Sequence, residues 1–96
     1  MTEQQLHEIA QQIAQLIVKR DEMLDRLVFL INANQIESHV FQDFVEMIQV
    51  TDIAIIKLTM RVAKAGVPFP HFSSIISPIM QDLKLDTIEA INKIAC

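Results

Sequence analysis

Apolar side chains recur along the first thirty residues at alternating spacings of three and four. Leu6, Ile9, Ile13, Leu16, Met23, Leu27 and Leu30 fall on one line, and Arg20 takes the single position of that line that is not apolar. This is the a/d seam of an amphipathic helix lying along another helix. Thr2 with Gln5 makes a capping-box start, and Asn32-Ala33-Asn34 supplies a stop, because Asn tolerates the left-handed conformation of a helix end. The spacing predicts a helix over residues 3–32.

The same spacing resumes after a short link. Phe41, Phe44, Ile48, Thr51, Ile55, Leu58 and Val62 continue it, with either Asn34 and Glu37 or Ser38 as the N-terminal cap and Gly66 as the stop. A short link between two long helices makes them antiparallel neighbours. The second helix is apolar on more than one side, since Val40, Val45, Met47, Ile53 and Ile56 lie off its main stripe.

Beyond Gly66 the pattern is broken by proline. Pro68-Phe69-Pro70 reads as an extended connector, since each proline biases its predecessor away from the helical region. Residues 72–83 look helical but contain Pro78, which either kinks the helix or starts a new one capped by Ser77. A final helix is expected from Asp86, with Glu89 three residues on and Ile88, Ile91 and Ala95 facing inward. Met60, Val62, Phe69, Phe72, Ile75, Ile76, Ile79 and Met80 gather apolar bulk around this segment. The expectation is that they close the core, the alternative being a groove for a partner helix.

The predicted fold is therefore all-α: a long antiparallel helical hairpin plus one kinked or two short C-terminal helices, in a single domain over residues 1–96. Composition changes this picture in one respect. Of the 96 residues 51% are hydrophobic and only one is glycine, while a chain this short buries only about 60–65% of its unfolded surface. The excess points to a second buried surface, most simply a homodimer or a partner's helix, against the alternative of a well-packed, Ile-rich monomer.

A net charge of −4 and five Phe with no Trp or Tyr argue against a nucleic-acid binder, which carries a basic footprint and stacking aromatics. No apolar run approaches the roughly 18 residues of a membrane span. The opening Met-Thr-Glu-Gln-Gln lacks the features of a secretion signal, and the one cysteine, Cys96, cannot close an intrachain disulfide. A cytoplasmic protein is expected. His7, His39 and His71 lie in separate segments without metal-ligand spacing, and one glycine leaves no phosphate-cradling loop. No catalytic residue, metal ligand or cofactor is predicted.

Arg20 is the residue most suggestive of chemistry. A guanidinium on an apolar seam needs a carboxylate or a ligand anion, and Glu46 and Asp52 on the second helix are the candidate partners. The alternative is a slightly rotated helix that turns Ile17 and Leu24 inward and lets Arg20 reach the edge. Charge is also segregated along the second helix. Glu37, Asp43, Glu46 and Asp52 occupy one part, and Lys57, Arg61 and Lys64 the other. Such segregation can guide antiparallel self-pairing or simply solvate a face.

In layout, and in the run Leu16-Ile-Val-Lys-Arg20-Asp-Glu-Met23, the chain resembles the all-helical chorismate mutases. The shared pattern is Leu-Ile-x-x-Arg-x-x-Met. The resemblance implies an intertwined helical dimer that rearranges chorismate to prephenate, gripping a dicarboxylate with several cations. Arg20 matches the family's mid-helix arginine, and Gln81 stands for its glutamine in the last helix. Glu3 and Ile31 stand where the family has an arginine and a lysine, and Val40, Asp43 and Phe44 where it has a polar cluster. The expected function is thus a non-enzymatic interaction or regulatory protein acting through dimerisation or partner-helix binding. The alternative is a chorismate-mutase-like protein binding a small carboxylate at Arg20 and Gln81.

Overall fold

The computed structural model describes the backbone of residues 1–95 and the side chains of residues 1–84. Within that span the chain is all-helical, with α1 over Glu3–Asn32, α2 over His39–Lys64 and α3 over Phe69–Ala95. None of these helices is long and apolar enough to cross a membrane, among the described residues.

Local chemistry sets the helix ends. Thr2 Oγ1 accepts the Gln5 backbone N–H at 3.2 Å, and Gln5 Oε1 accepts the Thr2 N–H at 3.0 Å, closing the capping box. Past Asn32 the chain turns through Asn34 at φ 61°, with the Asn34 N–H on the Ile31 carbonyl and the Gln35 N–H on the Leu30 carbonyl. These two bonds form a Schellman cap. Ser38, not Asn34, caps α2: its Oγ accepts the Phe41 N–H at 3.1 Å. A second Schellman cap ends α2, where Gly66 takes φ 77° and Val67 donates back to Val62. Val67 packs on the same apolar cluster as Val62, the contact that accompanies this cap.

The third helix differs from the sequence expectation. It begins at Phe69 and runs unbroken through Pro78 to Ala95, so Asp86 starts no separate helix and Ser77 caps none. Pro70 falls in the first turn, where an N–H has no helical acceptor and proline is tolerated. Pro78 sits in the interior, where its missing N–H deprives the Ser74 carbonyl of its helical donor. Separately, the Ser74 hydroxyl donates to the His71 carbonyl at 2.6 Å. The expected inward-facing residues Ile88, Ile91 and Ala95 lie outside the described side chains.

Both α2 and α3 pack on α1 and scarcely meet each other. The core lies at the start of α1, where Leu6, Ile9, Ala10 and Ile13 join Val62 of α2 and Phe72 and Ile75 of α3. Ala10 and Ala14 have no exposed surface at all, and their small side chains let neighbouring helices approach closely. Of the third-segment bulk, Phe72 and Ile75 are buried, but Phe69 is 78% exposed and Met60 is exposed as well. The core therefore takes only part of that group.

The body is open. Its radius of gyration is 16.1 Å, against about 12.5 Å for a compact chain of this length. Its accessible surface is 7070 Å², against about 5,600 Å² for a folded monomer of this mass.

Candidate functional site

Arg20 lies on α1 beyond the core cluster of Leu6, Ile9, Ala10 and Ile13. One guanidinium nitrogen donates to Asp52 Oδ1 at 3.2 Å and the other lies 3.6 Å from Asp21 Oδ1. Of the two expected partners, Asp52 is found and Glu46 is not. The pair is not buried: the Arg20 and Asp52 side chains are 36% and 43% exposed. The reason is geometric. Residue 20 lies on the flank facing α2 near its midpoint, and the long guanidinium stem reaches out of the seam to a carboxylate at the rim. Nε is covered and has no hydrogen-bond partner. Ile17 is half-buried and Leu24 exposed, so α1 is not rotated to bring both inward.

Two aspartates around one arginine leave little positive charge for a ligand. An incoming carboxylate would have to displace Asp52 and would meet the Asp21 charge at close range. The other positions drawn from the chorismate mutase resemblance are scattered. Glu3, at the start of α1, bonds His71 Nε2 at 2.9 Å. Ile31, Val40, Asp43 and Gln81 are exposed and Phe44 is half-buried. The groove on the Arg20 side is lined by Lys19, Asp43, Glu46, Met47, Val50 and Thr51. The groove between α1 and α3 is lined by Gln11, Gln15, Ile79, Asp82 and Leu83. The two share no residue, and Arg20 and Gln81 line neither. Among the described residues no group of His, Cys, Asp and Glu is placed to hold a metal ion.

What the structure does assemble is uncovered apolar surface. On α1, Leu24, Val28 and Ile31 continue the line of Ala10, Ala14 and Ile17 but remain exposed. Phe29 and Ile36 are exposed too. On α2, Val40, Met47, Val50, Ile53, Ile56 and Met60 are all exposed, Val50 at 67%. Sequence reading marked Val40, Met47, Ile53 and Ile56 as lying off the main stripe. It missed Val50 and the second seam of α1. That seam is visible as a seven-residue repeat, Ala10-Ile17-Leu24-Ile31, once the first seam is set aside.

Comparison with known proteins adds no identity. The chain matches no family model, no curated protein and no solved structure.

Proposed function

We propose that the chain is a helical interaction module without catalytic chemistry of its own, working in the cytoplasm as a dimer or on a partner's helix. In this reading α1 and α2 form a long antiparallel hairpin that carries its binding surface on the outside. The order of contacts supports the hairpin: Arg61 lies beside Gln5 and Glu8, Leu58 beside Gln12 and Leu16, and Asp52 on Arg20.

The observation that carries the proposal is the exposed apolar surface. A protein of this size keeps large apolar side chains scattered, and a contiguous patch marks an interaction site. The accessible area exceeds that of a compact monomer by about 1,400 Å². One partner buries about 800 Å² in a standard interface, so an interface of ordinary size would remove a large share of the excess.

Light scattering and an apolar dye test this together. The expected result is an oligomer at tens of micromolar, or a monomer that binds the dye strongly. Val28→Asp, on the exposed continuation of the α1 seam, should weaken one or the other while leaving the helical circular dichroism intact. A monomer that binds no dye would overturn the proposal.

A second reading, a chorismate-mutase-like site for a small carboxylate, is favoured by one observation, the unsatisfied Nε of Arg20. Thermal shift with chorismate, prephenate and simpler carboxylates tests it. A response in wild type that Arg20→Ala abolishes would support it, and equal responses would remove it.

A further inference from the structure

We infer that the outer face of α2 binds the same face of a second copy in antiparallel register, about a twofold axis passing between Ile53 and Ala54. This rests on the interaction-module reading above and deepens it by naming the surface, the partner and the register.

Along that face, Asp43, Met47, Val50, Ala54, Lys57, Arg61 and Lys64 follow one another at spacings of four and three, flanked by Glu46, Ile53 and Met60. All are exposed except Ala54, which is half-buried. The line is a second a/d seam on a helix whose first seam already faces α1. Its middle is apolar and small, its N-terminal end is acidic and its C-terminal end is basic.

Those three properties choose the occupant. A parallel copy would set Asp43 and Glu46 against their own equivalents, and Arg61 and Lys64 likewise, which like-charge repulsion disfavours. An antiparallel copy about the stated axis sets Asp43 against the second copy's Lys64 and Glu46 against its Arg61. The same axis sets Met47 against Met60, and Val50 against the aliphatic stem of Lys57. Ile53 falls beside its own equivalent and Ala54, where the small side chain lets the helices close. The register demanded by the charges is the register that centres the apolar patch, although neither property fixes the other. The open groove bounded by Lys19, Asp43, Glu46, Met47, Val50 and Thr51 lies along this face. It would receive the second copy's Met60 and Arg61.

Three measurements test the pairing. Wild type should scatter light as twice the 11.0 kDa chain mass. Ile53→Asp, a half-exposed position outside the protomer core, should run as a monomer with its helix content retained. In a Cys96→Ser background, Ile53→Cys should oxidise to a crosslinked dimer and Met60→Cys should not, because only residues near the twofold axis meet their own copies.

Charge reversal then tests the register. Glu46→Lys and Arg61→Glu should each raise the dimer dissociation constant about tenfold, since each sets two like-charge pairs in the homodimer. Mixing the two variants should restore wild-type affinity, because every pair in the heterodimer is then opposite in sign. No rescue on mixing, or a dimer indifferent to Ile53→Asp, overturns the inference. If wild type dimerises but only Val28→Asp splits it, α2 pairing fails and the interaction-module reading stands. A monomer that binds apolar dye likewise removes the pairing and keeps the module, and a monomer that binds none removes both.

Discussion

In the first half of α1, Ala10 is fully covered and Ile17 half-covered by the packed helices. Seven residues beyond Ile17 and seven beyond that, Leu24 and Ile31 hold the same place in the repeat yet stay 40% and 48% exposed. The periodicity does not change between the halves; the company does. Near its start α1 lies against α3, pinned by the bond of Glu3 to His71 and by the contact of Gln11 and Gln15 with residues 79–83. Farther on, Met23 and Leu30 are buried and Leu27 half-buried, while the stripe beside them is open. A heptad states which side chains need cover. It does not state whose side chains supply it.

Removing volume from each half puts the contrast at greatest risk. Ile13→Ala empties a site in the three-helix core and should cost about 2–4 kcal/mol in urea denaturation. Leu24→Ala removes a side chain that is 40% exposed and outside the core cluster, and should cost about 1 kcal/mol at low concentration. If the two cost the same, the halves are energetically alike and the contrast is false. If the cost of Leu24→Ala grows with protein concentration, a second copy covers that stripe.

The next effect acts on α3, the helix that makes the halves differ. Pro78→Ala restores a donor to the Ser74 carbonyl and removes the ring from the preceding turn. It should stabilise the protein by about 1–3 kcal/mol, because interior proline costs a helix about 3 kcal/mol. Denaturation of the single variant measures it. A loss of stability would show that Pro78 is needed to seat Phe72 and Ile75 on α1.

These contrasts also show what the sequence could disclose. Helix ends set by bonds within one turn were legible: Thr2 with Gln5, Asn34, and Gly66 all act as their side chains dictate. For Arg20, the sequence offered Glu46 and Asp52 as buried partners, whereas the Arg20–Asp52 pair lies half-exposed at the rim. The start of α3 was not legible. Pro68-Phe69-Pro70 reads as extended because local bias sees two prolines, whereas a helix tolerates proline in its first turn. Continuity through Pro78 was one of two readings that local bias left open, and packing of Phe72, Ile75 and Ile79 against α1 is what outweighs the local penalty. Nor could periodicity choose between Glu46 and Asp52, which lie nearly two turns apart on α2.

On either side of α2 the contrast narrows to a single residue. Asn34 and Gly66 occupy the same place in the two Schellman caps, at φ 61° and 77°. Gly66→Ala should cost about 1 kcal/mol from left-handed strain alone, since a Cβ there meets nothing within 4 Å. Asn34→Gly should gain a few tenths of a kcal/mol or nothing, because Asn already tolerates that conformation. Thermal denaturation of both variants reads the difference. Equal effects would mean that the cap next to the core is no more rigid than the cap at the open end.

The smallest effect falls on Arg20, at the border between the halves. Arg20→Leu would continue the aliphatic seam across it and remove a covered, unsatisfied Nε. It would also release Asp52 and Asp21, but both are exposed enough for water to solvate them. A half-exposed ion pair contributes about 0–1 kcal/mol, and an unsatisfied covered donor costs about 1–3 kcal/mol. The balance puts Arg20→Leu near neutral, tilted toward stabilisation by up to about 1 kcal/mol. Asp52→Asn, which keeps Arg20 and removes only its partner's charge, should instead destabilise by less than about 1 kcal/mol. The sign separates two roles for this residue. A gain from Arg20→Leu means that the arginine weakens the seam it interrupts and is retained for something other than the stability of this fold. A loss of about 2 kcal/mol or more, beyond what an exposed pair supplies, would mean that the pair holds α1 to α2 where the three-helix core ends.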